Sequence, residues 1–251
     1  MLEDEFGDII KKASSGLKIS SAELSDKTGI SLEDIKDFIS YKLIPSKDQI
    51  KIIAEILKLN EEKLTKIVLE KWEPSNKSHP DVIKIEQEID GSKVNSYIIK
   101  DYNEALIIDT GLDAKSILKS LEKNELVPIA ILITHNHSDH ISGIEGLQEE
   151  YICEVYQDNE ESMLKLEDFK IKVLKTPGHT FNHNCFLYKN YCFVGDLLFA
   201  GSIGGSNEVP YQTHLESIRK KILSLPDSTL LFPGHGPVTS VKEEKNNNPF
   251  F

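Results

Sequence analysis

The stretch at residues 129–143, I-A-I-L-I-T-H-N-H-S-D-H-I-S-G, constrains this chain more than any other. Its β-branched positions Ile129, Ile131 and Ile133 have the composition of a buried strand. The apolar run stops at Thr134, and His135, His137, Asp139 and His140 follow at once. A strand that ends in three imidazoles and a carboxylate is built to hold something at its C-terminal edge. Neutral imidazole with carboxylate suits zinc, iron or manganese, and the absence of cysteine nearby argues against a closed structural zinc site.

Ahead of that stretch lie two regions of different texture. Residues 1–72 carry helical signals throughout. Ser20-Ser21-Ala22-Glu23 is a capping box opening a helix that ends at Gly29, and Ser31 can cap the next, with Leu32, Ile35, Phe38 and Ile39 at helical spacing. Pro45 blocks continuation, and Ser46-Lys47-Asp48-Gln49 is a second capping box before Ile50, Ile53, Ala54 and Leu57. Asn60 opens a last helix with Leu64, Ile67 and Val68 facing inward, so five short helices around one small core are expected.

The run A-E-L-S-D-K-T-G-I-S-L-E-D-I-K-D-F-I, with the later I-I-A-E-I-L-K-L-N-E-E-K-L, resembles the Xre (lambda-repressor-like) helix-turn-helix family. The resemblance implies a helix-turn-helix-like domain whose recognition helix spans residues 32–40. Glu33, Asp34 and Asp37 stand on its outer face, opposed only by Lys36. Residues 1–73 hold twelve lysines against fifteen acids, a net of −3. Phosphate contact supplies most of the affinity for DNA, so such a face repels it, and DNA is not expected as a partner despite the resemblance.

Residues 73–80 (E-P-S-N-K-S-H-P) are a linker by composition, with His79 read as a solvated loop residue. From residue 81 the pattern turns to strands. Residues 82–85 and 93–99 flank the tight-turn pair Asp90-Gly91, and residues 105–108 form a third strand ending in Asp109-Thr110-Gly111. Residues 114–123 are helical, and Ile144, Leu147 and Tyr151 continue a helix after the histidine stretch. Residues 169–174 lead as a strand into Thr176-Pro177-Gly178-His179. A hairpin across Lys189-Asn190 runs into Gly195-Asp196-Leu197-Leu198-Phe199. A helix at residues 215–225 and a last strand at 229–232 deliver Pro233-Gly234-His235-Gly236-Pro237. Alternating strands and helices call for a layered α/β sandwich over residues 81–251.

His179, Asp196 and His235 therefore each follow an apolar strand and sit beside glycine, where no Cβ obstructs close approach. The motifs T-H-N-H-S-D-H, T-P-G-H-T, G-D-L-L-F and P-G-H-G-P resemble the metallo-β-lactamase superfamily. The last two, with the terminal N-N-P-F-F, look like its glyoxalase II-like hydrolases. The resemblance implies an αββα sandwich and two divalent metal ions, zinc first, with iron or manganese as alternatives. One metal would be bound by His135, His137 and His179, the other by Asp139, His140 and His235, with Asp196 bridging. Such a pair lowers the pKa of a shared water, presents hydroxide to a carbonyl and stabilises the anionic intermediate. Asp139 and Asp196 would orient the hydroxide, so Asp139 is taken as catalytic as well as ligating. A thiolate leaving group needs little proton donation, which suits a thioester or ester of a small molecule. Asp109 matches a position that supports the ligands from behind, although a turn-capping role is equally open; His183 is read as supporting or packing. His214, in P-Y-Q-T-H, faces the substrate or caps the next helix, and Tyr211 is a pocket wall on the same footing.

The chain departs from the glyoxalase II pattern in three places. With sixteen residues after His235, the C-terminal helical domain of full-length glyoxalase II is not expected here. Gly205 and Asn207 stand where many relatives place Arg and Asp, which removes a fixed cation for a substrate carboxylate. Residues 151–169 leave little room for an extra helix. A more open site and a thioester or ester substrate other than a glutathione thioester are therefore expected.

Two other functions compete: a mononuclear iron persulfide dioxygenase sharing these ligand motifs, and a regulator whose helical module binds DNA or protein while the metal domain senses a metabolite. Bulk properties fit a globular protein, with 39% hydrophobic and 28% charged residues among 251. The net charge of −12 discourages anionic membranes and nucleic acid, and no signal or membrane-spanning segment is read. Cys153, Cys185 and Cys192 are read as buried free thiols, and the cytoplasm is the expected compartment. The pattern leaves self-association into a homo-oligomer open.

Overall fold

The computed structural model describes residues 1–75, 79–89, 91–157, 161–206 and 208–251. Asp90, Asn207 and the middle of the linker, residues 76–78, lie outside the described residues. The first region is five helices: α1 (Phe6–Leu17), α2 (Ser21–Thr28), α3 (Leu32–Ile39), α4 (Lys47–Leu57) and α5 (Glu61–Val68). The capping residues act as their chemistry dictates. Ser20, Ser31, Ser46 and Asn60 each accept a hydrogen bond from the third helical N–H, and Ser20 and Ser46 complete reciprocal boxes with Glu23 and Gln49. Gly29 ends α2 at φ 69°, a left-handed turn that glycine adopts without a Cβ penalty.

Strands β1 (Val82–Ile89), β2 (Ser92–Asp101), β3 (Glu104–Ile108), β4 (Val127–Leu132) and β5 (Glu154–Tyr156) form one sheet in that order. The first three are antiparallel neighbours and the last two pairings are parallel. Helix α6 (Lys115–Lys123) crosses from β3 to β4, and α7 (Ser138–Ile141) with α8 (Ile144–Glu150) crosses from β4 to β5. The second sheet contains β6 (Ser162–Leu166), β7 (Phe169–Lys175), β8 (Asn184–Tyr188) and β9 (Tyr191–Gly195). A small hairpin follows, β10 (Leu198–Phe199) and β11 (Ser202–Ile203), then α9 (Tyr211–Ser217), which continues as a π-helical turn over Ile218–Ile222. Strands β12 (Leu230–Pro233) and β13 (Thr239–Ser240) and helix α10 (Val241–Asn247) finish the fold; the second sheet runs β13-β12-β9-β8-β7-β6.

Strand periodicity sorts the side chains into layers. Alternate residues of the first sheet, Ile99, Leu106, Ile108, Ala130 and Leu132, meet Phe169, Ile171, Val173, Phe186, Phe193 and Phe232 of the second. Their neighbours Ile98, Ile107, Ile131 and Ile133 face outward under α6 and α8. On the far side Leu174, Cys185, Cys192, Val194 and Leu231 of the second sheet join Leu215, Ile218, Val241 and the interior of α1–α5 in one apolar cluster. The chain is thus the expected αββα sandwich preceded by helices. The core of those helices, expected as small and separate, instead runs on into the sheet's outer face. The shared face is sealed by polar and apolar ties: Asn60 N–H donates to Pro249 O at 2.8 Å, and Gly201 packs against Ile67 and Trp72.

Several elements differ from the sequence reading. Strands β5 and β6 occupy the short 151–169 segment, the helix expected at 215–225 begins at Tyr211, and β13 and α10 follow the strand expected to be last. All three cysteines are free and buried, as read. His79, read as solvated, packs against the ring of Tyr191 with centroids 4.5 Å apart and planes tilted by 49°, and it bonds the Tyr191 hydroxyl.

Candidate metal centre

Four strand ends converge on one point. His135 and His137 follow β4, Asp139 and His140 lie on α7, and His179 leaves the loop after β7; Asp196 follows β9, and His235 follows β12. The Nε2 of His135 and of His179 lie 3.0 and 2.8 Å from His137 Nδ1. Asp139 Oδ2 is 3.7 Å from His140 Nε2 and 3.4 Å from His235 Nε2. Asp196 stands between the two sets: its Oδ1 is 3.3 Å from His140 Nε2, while its Oδ2 is 3.3 Å from His235 and 3.7 Å from His179. His135, His140 and Asp196 form the buried floor, and His137, Asp139, His179 and His235 the more open rim.

The imidazoles are aimed by their second nitrogens. His140 Nδ1–H donates to Asp109 at 2.8 Å, His179 Nδ1–H to Gly205 O at 2.6 Å, and His235 Nδ1–H to Lys93 O. His135 Nδ1–H meets Thr134 Oγ1 at 3.0 Å, and that hydroxyl donates to Asp109 at 2.8 Å. Each ring is thereby oriented with Nδ1 tied outward and Nε2 turned inward, the usual way of positioning a metal-ligating histidine. His137 differs in presenting Nδ1.

The arrangement fits a cation. His140 Nε2 and Asp196 Oδ1 are buried and lack a hydrogen-bond partner among the described residues, so polar atoms converge with nothing of the chain between them. Three donor groups, His135/His137/His179, His135/His140/Asp196 and Asp139/His140/His235, have ligand atoms within 4.8 Å of one another. A Cβ at Gly234 would stand 2.2 Å from Asp196 Oδ1 and 2.7 Å from His140, so only glycine leaves the cradle open. Imidazole and carboxylate together suit borderline divalent metals.

The electrostatics agree. Burial opposes a charge on His140, yet Asp196 and Asp109 raise it to about 10. Against burial, Asp196 and Asp139 likewise push His235 up to about 11. Burial also opposes the charge of Asp196, but His140 and His235 hold it well below the carboxylate range. Burial drives His135 and His183 far down, leaving both neutral. The ionised carboxylates thus draw protons onto His140 and His235, at the place a metal would otherwise take.

Of the supporting residues, Asp109 takes φ 54° and gathers Thr134 N–H, Thr134 Oγ–H and His140 Nδ1–H, each at 2.8 Å. A left-handed aspartate held this way is a strained site residue rather than a simple turn cap. His183 is fully buried, bonded through Nδ1 to Thr176 at 3.1 Å and stacked 5.4 Å from the His135 ring. Tyr211 borders a cavity. His214, for which a substrate-facing role was one expectation, is enclosed: it has no exposure, and its Nε2–H donates to Leu197 O at 2.7 Å. Its ring wedges behind Gly178, next to His179.

Sequence reasoning missed Thr134 as the link between two ligands, and Asn95 with Tyr97 as the clamp of the His235 loop. Asn95 Nδ2 donates to Pro233 O and Gly236 O, and Tyr97 Oη–H to Pro233 O at 2.6 Å. The one available signal was the polar pair Asn95-Ser96 within an apolar strand.

The sequence profile of the metallo-β-lactamase superfamily matches residues 89–166. Hydroxyacylglutathione hydrolase GloC of Haemophilus influenzae is 31% identical over 192 residues, covering 62% of this chain and 91% of that protein. Among solved structures, BLEG-1 B3 metallo-β-lactamase aligns with a TM-score of 0.62 at 29% identity, over 67% of this chain and 98% of that one. ETHE1 from Myxococcus xanthus aligns with a TM-score of 0.60 at 27% identity, over 66% and 83%.

Proposed function

The chain belongs to the metallo-β-lactamase superfamily, and on that premise we propose that it is a dinuclear metal hydrolase of a small thioester, glyoxalase II-like in chemistry. The observation that carries this reading is the position of Asp196, whose two oxygens reach toward both donor sets. In it, His135, His137 and His179 would hold one cation and Asp139, His140 and His235 the other, with Asp196 available to both. Divalent cations so held would supply an acidified water and polarisation of the substrate carbonyl. The residues do the rest. Asp139, about one-third exposed and facing His235 at 3.4 Å, orients the attacking water and takes up its proton. Asp109 and Thr134 keep His135 and His140 aligned through the cycle. A thiol departs as thiolate at neutral pH, so no strong acid is required opposite Asp139.

The likeness to the Haemophilus influenzae hydrolase supports the thioester class. In the same reading residues 1–72 are a helix-turn-helix-like module joined by the 73–80 linker to a hydrolase domain over residues 81–251, a division supported by five capped helices ahead of the first strand. The likeness to ETHE1 favours one second reading, a mononuclear iron persulfide dioxygenase. The two readings part in one experiment: thiol release from a panel of acyl thioesters, followed with a thiol-trapping dye, beside oxygen uptake with glutathione persulfide. Thiol release without oxygen uptake is expected. Oxygen uptake with no thioester turnover overturns the hydrolase.

A further inference from the structure

Helix α1 lies across the loop that steadies His179. Between them is a cavity of about 250 Å³, walled on one side by Lys11, Lys12 and Ser15 and on the other by Gly204, Gly205 and Tyr211. Its floor adjoins the metal centre: Gly205 O accepts the Nδ1–H of His179, and a Cβ on Gly204 would stand 3.5 Å from that same nitrogen. A Cβ on Gly205 would meet nothing within 4 Å, so the space beside it is open.

The charges of this cavity are unequal in availability. Lys12 is committed: its ammonium pairs with buried Asp4, donates to Ile203 O at 2.8 Å and lies 4.7 Å over the Phe199 ring. Asp8 is committed too, its carboxylate accepting Tyr41 Oη–H at 2.6 Å and Glu5 N–H at 3.0 Å. Lys11 is exposed and has no acidic partner among the described residues. It lines the same cavity as Gly205, the residue whose lack of a cation led to the expectation of a thioester other than a glutathione one; a cation supplied from α1 instead makes glutathione a fitting acidic thiol to test.

We propose that this cavity seats the acidic, thiol-bearing half of the substrate, with Lys11 of the helical module pairing with its carboxylate and α1 serving as one wall of the active site. The proposal rests on the thioester reading for the identity of the thiol, but its anion selectivity can be read by binding alone. The N-terminal helices then act on substrate rather than on nucleic acid.

The test uses the full chain and two probes that cannot be hydrolysed, S-methylglutathione and its diamide, in which both carboxylates are capped. Dissociation constants are measured by calorimetry or NMR titration for the unaltered protein, Lys11→Met, Lys11→Glu and, as a control distant from the cavity, Lys36→Glu. S-methylglutathione should bind more tightly than its diamide. Lys11→Met should weaken it by about fivefold, and Lys11→Glu by about tenfold or more. The diamide should shift by less than about twofold, and Lys36→Glu should change neither. The KM for S-acetylglutathione should follow the same order. Equal binding of acid and diamide, equal loss of both on altering Lys11, or no binding of either overturns the proposal. Lys11-dependent binding of S-methylglutathione without thioester turnover supports the subsite and refutes the thioesterase reading instead.

Discussion

Asp109 shows how much one residue outside the cation's reach can decide. Its carboxylate fixes both the backbone of Thr134 and the orientation of His140 from a left-handed conformation. Asp109→Asn keeps the size and the backbone tolerance but removes the charge. Metal affinity should fall by about 10–100-fold, read by competition with a chromogenic chelator; an affinity within about twofold of the parent would contradict a role in orienting the ligands. The protons on His140 and His235 yield a second expectation. Both groups are raised, to about 10 and about 11, so their protonated forms are favoured in the folded, metal-free protein. The stability this contributes is complete below the ordinary histidine range and is lost as pH rises through 10 and 11. A cation needs both lone pairs, so metal uptake near neutral pH should release about two protons per chain. Calorimetry in buffers of different ionisation enthalpy measures it, and release near zero would contradict the electrostatics. At this scale the seven proposed ligands were legible because each sits in a short motif whose spacing survives without tertiary knowledge. Thr134, Gly234, Asn95 and Lys11 were not, because their meaning lies in what folds against them.

Among the elements, α5 forms part of the seam between the N-terminal helices and the sandwich. Ile67 is buried and packs on Gly201 at the tip between β10 and β11, and Lys63 donates to Lys245 O on α10 at 2.7 Å. Ile67→Ala should therefore cost about 2–5 kcal/mol. The loss would appear as a lower urea midpoint with an unchanged slope, while a loss below about 1 kcal/mol would place Ile67 outside the shared core. Helices α2 to α5 were readable from serine, asparagine and glycine caps, and the central strands from their β-branched runs. Strands β5, β6 and β13 were not, because short pieces gain their hydrogen bonds from neighbours remote in sequence. Strand β4 also begins earlier than its isoleucines suggest: Pro128 lies in it, where the pairing with β3 slips register.

Over the whole molecule, the apolar cluster spanning α1–α5, the second sheet, α9 and α10 ties the N-terminal helices to the sandwich. The two should melt together, in one calorimetric transition with matching calorimetric and van't Hoff enthalpies; two resolved transitions would contradict the shared core. What sequence alone left undecided was how the helices sit on the sandwich, since the capping and periodicity that define a helix say nothing of the surface it covers. The measurement that bears most directly on the proposed chemistry is elemental analysis of the purified full chain after equilibration with zinc, iron or manganese and removal of free ions. A content near two ions per chain, falling on Asp196→Ala, is the result predicted by a carboxylate shared between two donor sets. One ion per chain, unchanged by that substitution, would contradict it.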